Sequence, residues 1–183
     1  MAKVLVPLVE GFEDIEAVTV IDVLRRGGVE VVTAAVGDAP SVLSAHGLRV
    51  TADAPFADAA NADYDAVVLP GGPGTGRLKV PAVFDLLHRQ KESGRLICAI
   101  CAAPTVLVEA GVLEPDQHVT CYPTCIPELD RPCANVPVVA DGNVITGQAP
   151  GAALLFALVV LQALAGEKAA QKVARGMVTD VLM

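Results

Sequence analysis

The residue best placed for chemistry in this chain is Cys101. It sits in Ala99-Ile100-Cys101-Ala102-Ala103-Pro104, where an apolar run over 96–100 meets the start of a helical pattern. Ala99 and Ala103 flank it two residues away on each side. That is the small-x-nucleophile-x-small spacing of a nucleophile elbow, with cysteine in place of serine and alanine in place of glycine. Small residues there let a strand, a sharp turn and a helix pack without clashing. A thiol at the head of a helix faces unpaired N–H groups and the positive end of the dipole, which favour thiolate. A plain packed thiol fits the same local sequence, because free cysteine is commonly buried.

Glu16 is the second candidate. It falls in the first turn of the first helical pattern, close to the end of the first strand. A partly buried carboxyl there has a raised pKa and can donate a hydrogen bond to a thiolate. Glu16, Thr19, Asp22 and Arg26 also recur at roughly helical spacing, and on local sequence alone a solvated stripe is the simpler reading. Backbone N–H groups of Ala102 and of the Gly71-Gly72 turn can form an oxyanion site beside the sulfur. None of the three histidines, His46, His88 and His118, is adjacent to Cys101, so no Cys–His pair is visible. His118, Cys121, Cys125 and Cys133 match no closed zinc pattern, and Pro123, Pro127 and Pro132 interrupt them. Neither a metal nor a cofactor is expected.

These groups need a scaffold. The chain has 183 residues, 53% of them hydrophobic and 19% charged, which suits a single domain over 1–183 with a tight aliphatic core. A net charge of −8 lacks the basic patch of a nucleic-acid-binding surface. The apolar start is too short for a signal peptide, and the longest apolar stretch, 149–161, is too short for a membrane span. Five cysteines at irregular spacing do not form a disulfide framework. A cytoplasmic protein with reduced thiols is the expectation.

Strands are predicted over 3–9, 29–36, 65–70 and 96–100, and helices over 13–26, 80–91, 104–109, 152–164 and 167–175. Short hairpins are predicted for 41–44 with 48–51, turned at His46-Gly47, and for 136–139 with 143–146, turned at Asp141-Gly142. Residues 53–63 read as a polar, alanine-rich connection and 119–123 as the start of an irregular segment. The alternation predicts an α/β architecture with a mainly parallel sheet. Ligands bind such sheets beyond the carboxyl ends of the strands. The loops 10–16, 71–75 and 101–103 should converge there.

Four segments in order carry a resemblance: Val-Glu-Gly-Phe-Glu-Asp-Ile-Glu-Ala-Val from Val9, Leu69-Pro70-Gly71-Gly72, Ala99-Ile100-Cys101-Ala102-Ala103-Pro104, and Gly147-Gln148-Ala149-Pro150-Gly151. Together they resemble the DJ-1/ThiJ/PfpI superfamily, in its DJ-1-like branch, over nearly the whole chain. The resemblance implies a flavodoxin-like sandwich with helices on both faces, and a homodimer. It places Cys101 as the reactive cysteine, Glu16 as the protonated glutamate beside it, and Gly72 and Ala102 as backbone donors. Arg26 matches a residue near an anion pocket, His46 stands where an arginine is common, and Tyr122 stands where some members have a histidine. Ala102 occupies the position of the histidine of peptidase-like members, which argues against a Cys–His peptidase. The implied activity is on small reactive aldehydes such as methylglyoxal or glyoxal, of the glutathione-independent glyoxalase or deglycase type, in protection against carbonyl or oxidative stress. The alternatives are a redox sensor or a redox-regulated chaperone working through oxidation of Cys101.

Overall fold

The computed structural model describes residues 1–179. Its elements run β1 (Lys3–Leu8), α1 (Asp14–Arg26), β2 (Glu30–Ala35), β3 (Ser41–Leu43), β4 (Arg49–Thr51), β5 (Ala54–Pro55), α2 (Phe56–Ala59), β6 (Ala66–Leu69), α3 (Pro81–Glu92), β7 (Leu96–Ile100), α4 (Pro104–Glu109), β8 (Val138–Asp141), β9 (Val144–Gly147), α5 (Ala153–Ala165) and α6 (Glu167–Gly176). Short 3-10 turns cover Thr75–Leu78, Pro123–Glu128 and Pro150–Ala152. Seven strands form one sheet in the order β5-β2-β1-β6-β7-β9-β8. Only β8 runs antiparallel to its neighbour, and β3 with β4 forms a separate antiparallel hairpin. The fold is the flavodoxin-like α/β sandwich.

The central strands are apolar throughout because helices cover both faces of the sheet. Along β1, Val4, Val6 and Leu8 enter one core layer, while Leu5 enters the other. Along β6, Ala66 and Val68 alternate with Val67 and Leu69 in the same way. Along β7 the alternating pairs are Cys98 with Ile100 and Ile97 with Ala99. The first layer is closed by buried residues of α1, α5 and α6, the second by residues of α2, α3 and α4.

Several predicted bounds shift. The connection over 53–63 contains β5, which extends the sheet edge beside β2, and the single turn α2. Phe56 and Ala59 are buried there, so tertiary packing makes structure where local polarity suggests a loop. The second hairpin is β8 with β9, displaced toward the C-terminus of the predicted strands. The irregular segment carries the 3-10 turn Pro123–Glu128 and an isolated parallel bridge between Val119 and Cys133.

After β1 the chain goes to β2 on one side and later returns to β6 on the other, so the strand order reverses at β1. Loops leaving two neighbouring parallel strands on opposite faces open a crevice at such a point. Here the two loops are laced together. Glu13 N–H donates to the Gly71 carbonyl at 2.9 Å, and Gly74 N–H donates to the Gly11 carbonyl at 3.0 Å. A Cβ on Gly74 would lie 1.9 Å from the Glu10 carbonyl oxygen. That oxygen is backbone and cannot swing aside. Gly74→Ala is therefore expected to destabilise the fold by about 2 kcal/mol. Gly76→Ala, where a Cβ meets open space, should stay within about 0.5 kcal/mol of the parent. Urea unfolding midpoints at unchanged slope measure both.

Candidate active site

Cys101 lies one residue beyond β7, and its φ of 65° is left-handed. That conformation costs a residue with a Cβ roughly 1–2 kcal/mol. Two hydrogen bonds hold it: Cys101 N–H donates to the Gly147 carbonyl at 2.9 Å, and its own carbonyl accepts Tyr122 N–H at 2.8 Å. Pro104 then opens α4, where a missing N–H is harmless. Strand, left-handed residue and helix make the predicted elbow.

The turn after β6 packs directly on it. A Cβ on Gly71 would come 2.7 Å from the Cys101 Cβ. Gly72 has a φ of 110°, and a Cβ there would meet Glu13 N and the Gly11 carbonyl oxygen at 2.6 Å. Only glycine permits this approach. It brings the N–H groups of Gly72 and Ala102 to the Cys101 sulfur, where both favour the thiolate.

Glu16 is fully buried, so the solvated-stripe reading fails at that position. Its Oε2 accepts Gly71 N–H at 2.7 Å. Its Oε1 is the one buried side-chain oxygen or nitrogen among the described residues with no hydrogen-bond partner. Burial raises the carboxyl pKa to about 7, against the opposing pull of the Gly71 N–H and of the Cys101 side chain. Burial also pushes the Cys101 thiol up, and the neighbouring Glu16 carboxylate adds to the effect. The helix start and the glycine turn pull the other way, toward thiolate. The N–H groups of Ala102 and Gly72 act in that direction but are outweighed.

A cavity of about 360 Å³ opens over the sulfur. Glu13, Gly72, Pro73, Cys101, Ala102, Tyr122, Thr124, Cys125 and Pro150 line it. Of the candidates named from sequence, the structure thus brings Cys101, Glu16, Gly71, Gly72, Ala102 and Tyr122 together. His46 stands apart at the tip of the β3–β4 hairpin. Its Nδ1 lies 3.0 Å from Asp14 and 3.8 Å from Glu13, and both carboxylates raise its pKa. Asp14 is also held by the Ser44 hydroxyl. Arg26 is not brought to the cavity. It pairs with Asp22 at 2.7 Å on the exposed side of α1, ten residues and about 15 Å of helix beyond Glu16. His118 pairs with Asp141 at 3.0 Å, and among the described residues it does not cluster with Cys121, Cys125 and Cys133 as metal ligands would.

Glu13, Thr124 and Cys125 are cavity residues that motif reading did not single out. Glu13 was within reach, since it sits inside the segment starting at Val9. Thr124 and Cys125 lie in a 3-10 turn without period, and nothing in their spacing signals the contact.

Comparisons with known proteins agree with this geometry. The model for the DJ-1/PfpI family matches residues 2–163. Protein dj-1beta of Drosophila melanogaster is 40% identical over 178 residues, covering 94% of this chain and 95% of that protein. The glutathione-independent glyoxalase DJR-1.2 of Caenorhabditis elegans is 38% identical over 161 residues, covering 86% and 85%. Among solved structures, oxidized Toxoplasma gondii DJ-1 superposes with a TM-score of 0.94 at 35% identity, covering 98% of this chain and all of that one. With its elbow cysteine, buried glutamate and glycine turn on this fold, the chain belongs to the DJ-1/PfpI family, in the DJ-1-like branch.

Proposed function

We propose that this protein converts small reactive aldehydes to hydroxy acids without glutathione, with Cys101 as nucleophile and Glu16 as proton carrier. The single observation that carries this reading is the orphaned Oε1 of Glu16, buried in contact range of the cysteine. A buried carboxyl with one oxygen unsatisfied is best served by a proton on it, donated to the sulfur. When the pair holds one proton and one negative charge, that proton passes from the Cys101 sulfur to Glu16 as the sulfur attacks, which leaves carboxylic acid facing thiolate. Likeness to a glutathione-independent glyoxalase supports the same reaction class.

The chemistry follows from these positions. The thiolate attacks the aldehyde carbon of methylglyoxal, and a C–S bond forms as the carbonyl π pair moves to oxygen. Gly72 and Ala102 N–H groups steady that oxygen until Glu16 protonates it. The Glu16 carboxylate then takes the hydrogen from C1 and returns it to C2, while the hydroxyl proton passes to the neighbouring oxygen. The product is a lactoyl thioester on Cys101. Water cleaves it, releasing lactate and the thiol. Glu13 is the one charged side chain lining the cavity, which favours a neutral dicarbonyl over a carboxylate-bearing one.

A second reading has a specific observation behind it. The N–H groups that would steady an alkoxide can equally bind the oxygens of an oxidised Cys101, which suits a peroxide sensor. Dimerisation belongs to the proposal too. Ile15 and Val18, three residues apart on α1, are 55% and 44% exposed, and Leu48 on the β3–β4 side is 45% exposed. An apolar face of this kind suits a second copy of the chain.

Lactate should form from methylglyoxal in the absence of glutathione, and Cys101→Ser should fall to the uncatalysed background. Equal rates for the two proteins would overturn the assignment. Glu16→Gln should lose about 10²–10⁴-fold in kcat, because it cannot carry the proton. If Cys101 instead senses peroxide, the lactate assay is blank and mass spectrometry shows two oxygens on Cys101 before the other cysteines react.

The Glu16 carboxyl ionises at 4.5 when unfolded and at about 7 when folded. Its contribution to stability is full below the unfolded value, falls as pH rises between the two, and is flat above about 7. Glu16→Gln removes that slope. The stability difference between variant and wild type should shift in favour of the variant by about 3 kcal/mol across this window, read by urea unfolding at stepped pH. Val18→Glu should halve the mass seen by analytical ultracentrifugation if α1 pairs two copies.

A further inference from the structure

All five cysteines are free, and only Cys101 enters the chemistry above. Two others face each other: the Sγ atoms of Cys121 and Cys133 are 3.7 Å apart. Cys121 is buried and Cys133 is half-buried. The chain between them is a wall of the Cys101 cavity, to which it contributes Tyr122, Thr124 and Cys125. Backbone contacts position both sulfurs. Val119 and Cys133 form the parallel bridge, and Ala134 N–H donates to the Val119 carbonyl at 2.8 Å. On the other side, Tyr122 N–H ties the residue after Cys121 to the Cys101 carbonyl at 2.8 Å.

We propose that Cys121 and Cys133 are a second redox site, a dithiol that closes to a disulfide and clasps the wall of the Cys101 cavity. A disulfide bond is about 2.05 Å long. The sulfurs need to close by less than ~2 Å, a gap of the size that rotation about the two Cα–Cβ bonds covers. The oxidant is hydrogen peroxide. It meets Cys133, the more exposed thiol, whose sulfur takes one oxygen to become a sulfenic acid as one water leaves. The Cys121 sulfur then attacks the Cys133 sulfur. The S–S bond forms, the S–O bond breaks, and hydroxide leaves with the Cys121 proton as a second water. Two thiols lose two electrons, and one peroxide becomes two waters. Burial and the neighbouring Cys133 raise the Cys121 thiol well above an ordinary cysteine, so it rests protonated until Cys133 has reacted.

The closed form has a direct structural consequence. Residues 122–132 become a covalent loop, and the segment with Tyr122, Thr124 and Cys125 loses conformational freedom in the unfolded chain. The site works independently of Cys101, because neither sulfur touches the elbow residue's chemistry.

Wild-type protein treated with hydrogen peroxide, blocked with N-ethylmaleimide and cleaved after glutamate tests this. Cleavage after Glu92, Glu109 and Glu128 leaves Cys98 and Cys101 on one peptide, Cys121 and Cys125 on a second, and Cys133 on a third. The second and third peptides should be recovered joined, two hydrogens lighter than their sum, and should separate on reduction. Cys125→Ser should retain the link, and so should Cys101→Ser, whatever its effect on aldehyde turnover. The oxidised protein should melt about 5 °C above the reduced one, a difference lost in Cys133→Ser. Recovery of Cys121 and Cys133 as separately blocked thiols, a bridge through Cys125, or no change in melting temperature overturns the proposal.

Discussion

The site depends on one strained residue. Cys101 carries a left-handed backbone that a residue with a Cβ adopts only at a cost, and it does so at the end of β7 in the interior of a seven-stranded sheet. Such strain persists only where surroundings over-determine it. Here they do. The Gly147 carbonyl on β9 accepts the Cys101 N–H, the Tyr122 N–H donates to the Cys101 carbonyl, and Gly71 packs so close that a Cβ on it would meet the Cys101 Cβ. An ordinary extended residue at 101 would carry the chain onward in the plane of the sheet. The left-handed turn lifts the sulfur out of the sheet toward the N–H groups of Gly72 and Ala102.

Holding the sulfur there creates an electrostatic problem that the fold answers with dipoles. No histidine lines the cavity among the described residues, so there is no imidazolium to balance a thiolate. The nearest titratable group is itself an acid. Burial raises both groups' hold on a proton, the Glu16 carboxylate raises that of Cys101 further while the Cys101 side chain steadies the Glu16 carboxylate, and together they behave as one coupled unit. Two backbone N–H groups then do what a cation would do elsewhere. They are fixed by the glycine turn and the helix start, so they need no rearrangement when charge develops.

Sequence made parts of this visible and hid others for physical reasons. The elbow was legible because sterics demand small residues around Cys101, and Ala99 and Ala103 supply them. The sheet was legible because β1, β6 and β7 are covered on both faces and read as unbroken apolar runs. The role of Glu16 was not local. Its neighbours on α1, Thr19, Asp22 and Arg26, do share a helical stripe, and the Asp22–Arg26 pair is a surface ion pair as that stripe predicts. What distinguishes Glu16 is a contact 55 residues away, with Gly71. Its place near the end of the first strand made it a candidate, and the family resemblance chose it over the solvated stripe. It also pointed to Arg26 as a pocket residue, and helix length removes Arg26 from the cavity. Cys125 and Thr124 enter it through an aperiodic segment that no pattern marks.

The placement of the dithiol fits the same logic. Three walls of the cavity come from strand ends and tight glycine turns whose backbone hydrogen bonds leave little freedom. The fourth, the 122–132 segment, has one 3-10 turn with Pro127 inside it and no buried residue in that turn. With so little apolar surface to bury, it contributes few of the contacts that hold the other walls in place. It is anchored by the Val119–Cys133 bridge and the Tyr122 hydrogen bond at its two ends, and by Arg131 on the Glu114 carbonyl and Leu129 against the core near its C-terminal end. A covalent link between Cys121 and Cys133 therefore closes the two ends of a segment whose 3-10 turn buries no residue. It tightens the aperiodic wall while leaving the strained turn at Cys101, already held by its own hydrogen bonds, as it is.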